Sequence, residues 1–229
     1  MDPMIARLKR RARRRLKPQD CKETYTQQVL ESRSDPVYLE IGVRDGDSFR
    51  AVTAAKKIGI DPYQHKSMTR LRDGEQFFNK PSDEFFAEDA DRVLKDNPID
   101  VGLVDGLHWF EQALRDVLNI ERYSAPGAVI LLDDMNPKTR ELQDVFIQGQ
   151  AWNGDVWKIG AYIQAERPDL DFVTIDADQG VGVISNLNPS APWPTAETLK
   201  KYDELTYDYL DAHRREVLQL RPPTEPLVV

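Results

Sequence analysis

Seven short segments of this chain have the apolar density of strands, and polar stretches with helical patterning separate most of them. Residues 37–41 (Val-Tyr-Leu-Glu-Ile) read as a buried strand ending in a glycine turn, and residues 57–60 as a second strand stopped by Asp61-Pro62. A weaker third strand spans 75–79, and apolar runs at 99–104 and 128–132 give the fourth and fifth. Two further β-like runs, 171–175 and 181–184, flank a turn at 176–180 short enough for an antiparallel hairpin. Helical character covers 20–31, 48–57, a stretch opening at Ser82, then 109–120, 139–150, 156–166 and 195–218. Within 109–120, Phe110, Leu114, Val117 and Leu118 share one face, as in a helix packed on a sheet. This alternation predicts an α/β domain built on an open, mostly parallel sheet with helices on both faces. Three segments are expected: a basic arm over 1–19, the domain over 20–187, and a proline-rich linker, helix and tail over 188–229.

Composition changes that picture little and charge changes it more. Forty per cent hydrophobic and 31% charged residues over 229 positions describe an ordinary globular protein large enough for one sizeable core. No run reaches the roughly 18 apolar residues of a membrane span, and the N-terminus lacks the apolar segment of a secretory signal. The single cysteine, Cys21, excludes an intramolecular disulfide and fits a reducing cytoplasm. Eight basic side chains between Arg7 and Lys17 against Asp2 give the arm +7, so the remainder carries −15 of the total −8. An acidic body argues against a duplex nucleic-acid binder, because phosphate contacts need a broad basic surface. The arm suits RNA, anionic lipid or an acidic partner, or is simply a solvated helix, and the terminal helices suit a homodimer.

Candidate chemistry lies at the strand ends. Asp105 closes the fourth strand, His108 follows three residues later, and Asp133-Asp134 close the fifth. The intervening sequence has the length of a βαβ crossover, and parallel neighbours lie roughly 4.8 Å apart, so these groups can converge. An oxygen-rich cluster suits a hard divalent cation such as Mg²⁺, and a nearby imidazole is a candidate general base. Taken singly, each is an ordinary turn, cap or strand-end residue. Glu40-x-Gly42-x-x-x-Gly46 joins the first strand to the first helix and departs from the dinucleotide fingerprint G-x-G-x-x-G. Asp61, at the end of the second strand, stands where an acid binds ribose hydroxyls in doubly wound folds, or merely ends the strand. Glu111, one helical turn from His108, either orients it or faces solvent. Trp152 and Trp157 are candidate sugar-stacking or core residues, and His65 and His213 read as surface groups. Asp176 and Asp178 read as turn formers.

In joint order, Glu40-x-Gly42-x-x-x-Gly46, Asp61-Pro62, Ser82-Asp83-Glu84-Phe85-Phe86, Asp105-Gly-Leu-His108 and Pro126-Gly127…Asp133-Asp134 resemble class I S-adenosylmethionine-dependent methyltransferases. The nearest branch is the metal-dependent small-molecule O-methyltransferases, similar to macrolide-sugar and macrocin enzymes and catalogued with cephalosporin-hydroxylase-like proteins. The resemblance covers residues 36–187 and implies a Rossmann-like sheet of seven strands, order 3-2-1-4-5-7-6, with strand 7 antiparallel. It implies that Glu40, Gly42 and Gly46 line the methionine end of the cofactor, Asp61 holds its ribose, and Ser82 and Asp83 flank the adenine. It also implies Mg²⁺ on Asp105, Asp133 and Asp134, with Asp105 bordering the cofactor as well, and His108 as base. Two departures are Gly127-Ala128, where relatives often carry Gly-Gly, and Trp109-Phe110 after the histidine. The expected activity is O-methylation of a sugar or glycosylated small molecule. Open alternatives are a catechol-type O-methyltransferase, a nucleotide-binding oxidoreductase disfavoured by the glycine pattern, and a non-catalytic binding protein on the same scaffold.

Overall fold

The computed structural model describes residues 21–144 and 152–223, so the basic arm and the expected helix beyond Asp144 lie outside the described residues. Among the described residues eight strands form one sheet: β1 (Val37–Ile41), β2 (Lys56–Ile60), β3 (Glu75–Phe78), β4 (Ile99–Val104), β5 (Ser124–Leu132), β6 (Asp171–Ile175), β7 (Val181–Ser185) and β8 (Leu220–Arg221). Their order is β3-β2-β1-β4-β5-β7-β6-β8. The expected seven-strand order is present, with β8 added on the β6 edge. β7 runs antiparallel to β5 and β6, and every other pairing is parallel.

Alternation along the strands builds the core on both sheet faces. In β5, Ile130 and Leu132 enter one apolar cluster while Val129 and Leu131 enter the other. The first cluster is covered by α5 (Phe110–Arg122), which buries Phe110, Leu114, Val117, Leu118 and Ile120 on its sheet-facing side. Each such large side chain contributes about 1.5–3 kcal/mol on burial. On the opposite face lies α1 (Lys22–Glu31), whose buried positions Lys22, Tyr25, Thr26, Val29 and Leu30 recur every third or fourth residue.

Three expected elements differ. The helix expected over 48–57 is only α2 (Asp47–Ala51). Val52 is already extended, and Lys57 Nζ donates to the Phe49 and Val52 carbonyls at 2.5 and 3.0 Å, satisfying the helix end. β5 begins at Ser124, earlier than expected, and takes in Pro126-Gly127 where its register against β4 shifts. An irregular register tolerates a proline, which has no N–H to give the ladder. The single helix expected over 195–218 is two, α8 (Ala196–Asp203) and α9 (Tyr207–Leu218), separated by extended Thr206. The break lets Tyr202 on one piece and Leu210, Val217 and Leu218 on the other all reach the core. α9 also lies along α7 (Lys158–Glu166), with Gln164 Nε2 donating to the Val217 carbonyl at 2.7 Å.

Short helices complete the described chain: α3 (Ser82–Glu88), α4 (Ala90–Leu94) and α6 (Arg140–Asp144). None of the described helices is long and apolar enough to cross a membrane. The chain runs outward from β1 to β3 and then returns to β4 on the other side of β1, so the strand order reverses between β1 and β4. Ligands of open α/β sheets bind beyond the carboxyl ends of the strands at such a reversal. Backbone bonds continue the sheet past these ends: Gly42 N–H donates to Ile60, Asp105 N–H to Ile41, and Asp133 N–H to Val104. Glu40, Asp61, Asp105 and Asp133 are thereby brought to one rim.

Candidate active site

The rim beyond β4 and β5 is an acidic cluster with a lysine inside it. Lys22 Nζ, from the first turn of α1, donates to Asp105 Oδ2 and to Asp133 Oδ2, and its side chain is only 2% exposed. Burial by itself would lower the Lys22 pKa, but Asp105 and then Asp133 outweigh it and hold the ammonium well above its ordinary value. Burial likewise opposes ionisation of Asp105, yet Lys22 and His108 hold that carboxyl below the usual range. Asp133 Oδ1 is buried without a hydrogen-bond partner.

On the other side of Asp105, its Oδ1 lies 3.6 Å from His108 Nε2, and Asp134 Oδ2 lies 3.2 Å from His108 Nδ1. Ligand atoms of Asp105, His108 and Asp134 all fall within 4.8 Å of one another. The structure thus gathers three of the four groups expected here, while Asp133 turns toward Lys22. Asp134 adopts φ 65°, left-handed backbone that aspartate tolerates better than most residues, and this turn separates its side chain from that of Asp133. Burial and the neighbouring Asp133 push the Asp134 pKa up. Burial would depress the His108 pKa, but Asp134 and Asp105 push it up to about 9. Three carboxylates facing one ammonium leave the cluster short of positive charge, which raises the His108 pKa and adds to the burial that raises Asp134.

His108 is clamped by a segment far away in sequence. Its Nδ1 lies 2.7 Å from the Trp152 carbonyl, which can only accept, so the neutral ring carries its proton on Nδ1. The Trp152 indole stacks on the imidazole, centroids 5.2 Å apart and planes 16° from parallel. Gly154 has φ 61°, and a Cβ there would lie 1.7 Å from the His108 carbonyl oxygen. Asp155 completes the clamp by donating its N–H to His108 and accepting from Phe110 N–H at 2.7 Å. The chain neighbours of His108, Leu107 and Trp109, are exposed large apolar side chains, at 45% and 58%.

The glycine turn sits next to this cluster. A Cβ on Gly42, at φ 88°, would lie 2.0 Å from the Asp105 carbonyl oxygen, so the two loops touch through backbone that admits no side chain. Glu40 is fully buried, accepting from Tyr38 Oη at 2.6 Å and from Ser48 Oγ. Burial drives its pKa up to about 7, against those two hydrogen bonds and Lys22. Asp61 accepts from Arg44 N–H and Tyr63 N–H, each at 2.7 Å, and so orders the glycine turn from the β2 side. Ser82 donates to buried Asp116 at 2.7 Å, while Asp83 accepts from Gln112 and Arg115. Burial pushes Asp116 up to about 7, and its Oδ2 has no hydrogen-bond partner.

Other sequence candidates separate from the cluster. Glu111 is exposed, His65 caps a short 3₁₀ turn over Lys66–Met68, and His213 is a half-exposed residue of α9. Trp157 is fully buried, its indole N–H donating to Gln143 Oε1. Asp176 accepts from Lys138 and Asn136 beside the hairpin, and Asp178 takes φ 50° within it. Lys22 and the Gly154–Asp155 part of the clamp are the groups sequence reasoning missed, while Trp152, a candidate for sugar stacking or core, stacks on His108 instead. One signal pointed to Lys22: it shares the helical spacing of Tyr25, Val29 and Leu30, a charged residue on a buried stripe.

Residues 39–135 match a family described as a methyltransferase domain. No curated protein matches the chain. Among solved structures, cofactor-bound Rv0187 from MTB is 17% identical with a TM-score of 0.53, over 72% of this chain and 79% of its own. The O-methyltransferase TomG from Streptomyces achromogenes, involved in tomaymycin synthesis and solved in complex with SAM, is 17% identical with a TM-score of 0.54. That match covers 73% of this chain and 80% of TomG. At such identity the likeness is one of fold.

Proposed function

We infer that this chain, whose residues 39–135 match a methyltransferase domain family, moves the methyl group of S-adenosylmethionine onto a hydroxyl oxygen of a small molecule. The observation that carries the reading is the meeting of Asp105, His108 and Asp134 at the open ends of β4 and β5, beside the Glu40–Gly42 turn. TomG, an O-methyltransferase with SAM bound, supports the cofactor and the kind of atom methylated.

Methyl transfer from a sulfonium is an in-line displacement, so the protein must align the acceptor oxygen and take its proton. Glu40, Gly42 and Gly46 are assigned to the methionine end of the cofactor. Asp61 is assigned to the ribose, because a carboxylate keeps acceptor capacity after two backbone N–H bonds. Ser82 and Asp83 are assigned to the adenine side. His108 is the general base: in the neutral ring the Nδ1 proton is committed to the Trp152 carbonyl, which leaves Nε2 to accept, and with a pKa of about 9 that neutral form grows as pH rises.

Asp105, Asp133 and Asp134 are assigned to a divalent cation such as Mg²⁺. The donor set fits it, being oxygen-rich, short of positive charge, and holding a buried Asp133 oxygen without a partner. When bound, such an ion lowers the pKa of an acceptor hydroxyl. The acceptor is assigned to sugars or glycosides, because the exposed face of Trp109 with Leu107 suits the C–H face of a sugar ring. Exposed apolar side chains suit an aromatic diol as well, so the test includes both.

Transfer of labelled methyl groups is measured against a panel of glycosides and catechols, with and without a chelator. His108→Ala should abolish turnover while leaving S-adenosylhomocysteine affinity intact; retained turnover removes the base. Activity insensitive to chelation removes the metal. Cofactor binding without transfer to any acceptor, in protein shown to be folded, favours the non-catalytic reading.

A further inference from the structure

Lys22 does not fit an ordinary surface role. Tyr25, Val29 and Leu30 anchor α1 against the sheet, and this docking aims the first residue of the helix into the rim of β4 and β5. The Lys22 backbone is tied as well, its carbonyl accepting from Thr26 Oγ1 at 2.9 Å. Its ammonium bridges one oxygen of Asp105 and one of Asp133, carboxylates supplied by different strands. These are two of the three carboxylates assigned above to a divalent ion. A point charge held between anionic oxygens at neighbouring strand ends stands where a small hard cation would stand.

We propose that Lys22 is a resident cation that holds the Asp105–Asp133 half of the metal position, so that a divalent ion gains those oxygens only by displacing this ammonium. The inference rests on the metal reading of the site. Asp134 and the second oxygen of Asp105 face away from Lys22, toward His108. An arriving ion therefore meets part of its ligand set against His108 and the rest held by Lys22. A flexible four-carbon stem lets the ammonium withdraw without moving α1. Metal affinity is then set by a competition inside the protein, and the carboxylates are never left as an uncompensated cluster.

The test compares full-length wild-type protein with Lys22→Met and Lys22→Gln, using Mn²⁺ as the probe. Free Mn²⁺ is counted by its paramagnetic resonance signal, and melting temperature is followed with and without MnCl₂. Removing a competing charge in contact with the ligands should tighten Mn²⁺ binding by about tenfold or more in both variants. It should also make their melting temperature rise more steeply with Mn²⁺ than that of wild type. Equal binding in all three proteins overturns the role of Lys22 and leaves the metal reading standing. Weaker binding in the variants also overturns it, making Lys22 a support of the site. Binding to none of them removes the metal reading and this inference together. Circular dichroism checks the fold; Lys22→Gln, which keeps a donor, is decisive if Lys22→Met does not fold.

Discussion

Cofactor affinity should depend on pH through Glu40. This carboxyl is fully buried at the rim, and burial raises its pKa to about 7 from a reference near 4.5. A raised acid favours its protonated form in the folded state, so the stability it contributes is present below the unfolded pKa and is lost as pH climbs through about 7. The ammonium at the amino-acid end of the cofactor, which S-adenosylhomocysteine keeps, favours the ionised form. Binding must therefore strengthen across the same window. With a pKa of about 7, roughly one in eleven molecules is ionised at pH 6 and ten in eleven at pH 8. The dissociation constant should fall about tenfold between those pH values, equivalent to about 1.4 kcal/mol. Isothermal titration with S-adenosylhomocysteine, which cannot donate a methyl group, measures it directly. Glu40→Gln removes the titration and should flatten the profile while weakening binding at pH 8. Asp116, also raised to about 7 near Ser82, stays intact in that variant and so separates from the Glu40 effect. A wild-type change below twofold, or a slope that survives in Glu40→Gln, would refute the placement of Glu40 beside the cofactor ammonium.

Other consequences follow from packing. Gly154→Ala should lower turnover by about 100-fold while leaving S-adenosylhomocysteine affinity within about threefold, because the new methyl group displaces the His108 backbone and not the glycine turn; unchanged kinetics would contradict the clamp. Arg167 donates two bonds to buried Glu121, at 2.7 and 2.9 Å, and Glu121 also accepts from Asn188 N–H. Arg167→Leu strands that charge and should cost about 3–5 kcal/mol in urea unfolding; a loss under about 1 kcal/mol would show the pair to be weak. Leu114→Ala on the buried face of α5 should cost about 2–5 kcal/mol, and retention of wild-type stability would mean that the helix packs less tightly on the sheet.

The strands at 37–41 and 99–104 were legible because short, uninterrupted apolar runs are what a sheet buried on both faces demands. Asp105, His108, Asp133 and Asp134 were legible as candidates because they follow such runs, and strand order then brings Asp105, His108 and Asp134 together. Lys22 was not, since its partners lie 83 and 111 residues away and only its place on the buried stripe of α1 sets it apart from a solvated lysine. The His108 clamp is equally non-local, joining the imidazole to Trp152 across 44 residues. β8 has two residues and no pattern of its own; it exists because Gln219 turns the end of α9 onto the β6 edge. The break before α9 falls in polar sequence, where a continuous helix and two helices are locally equivalent.

Local hydrophobic pattern and the punctuation of glycine, proline and aspartate were sufficient to determine the alternating α/β order, the carboxylates at the strand ends and the candidate base. Those are properties of neighbouring residues, and short-range sterics and burial act on them directly. Which carboxylates share a partner was settled by packing instead. Docking of α1 delivers an ammonium to Asp105 and Asp133, and the left-handed turn at Asp134 directs its carboxylate to His108. Charge in a buried cluster acts through space and not along the chain, so its balance is fixed only once distant segments have met.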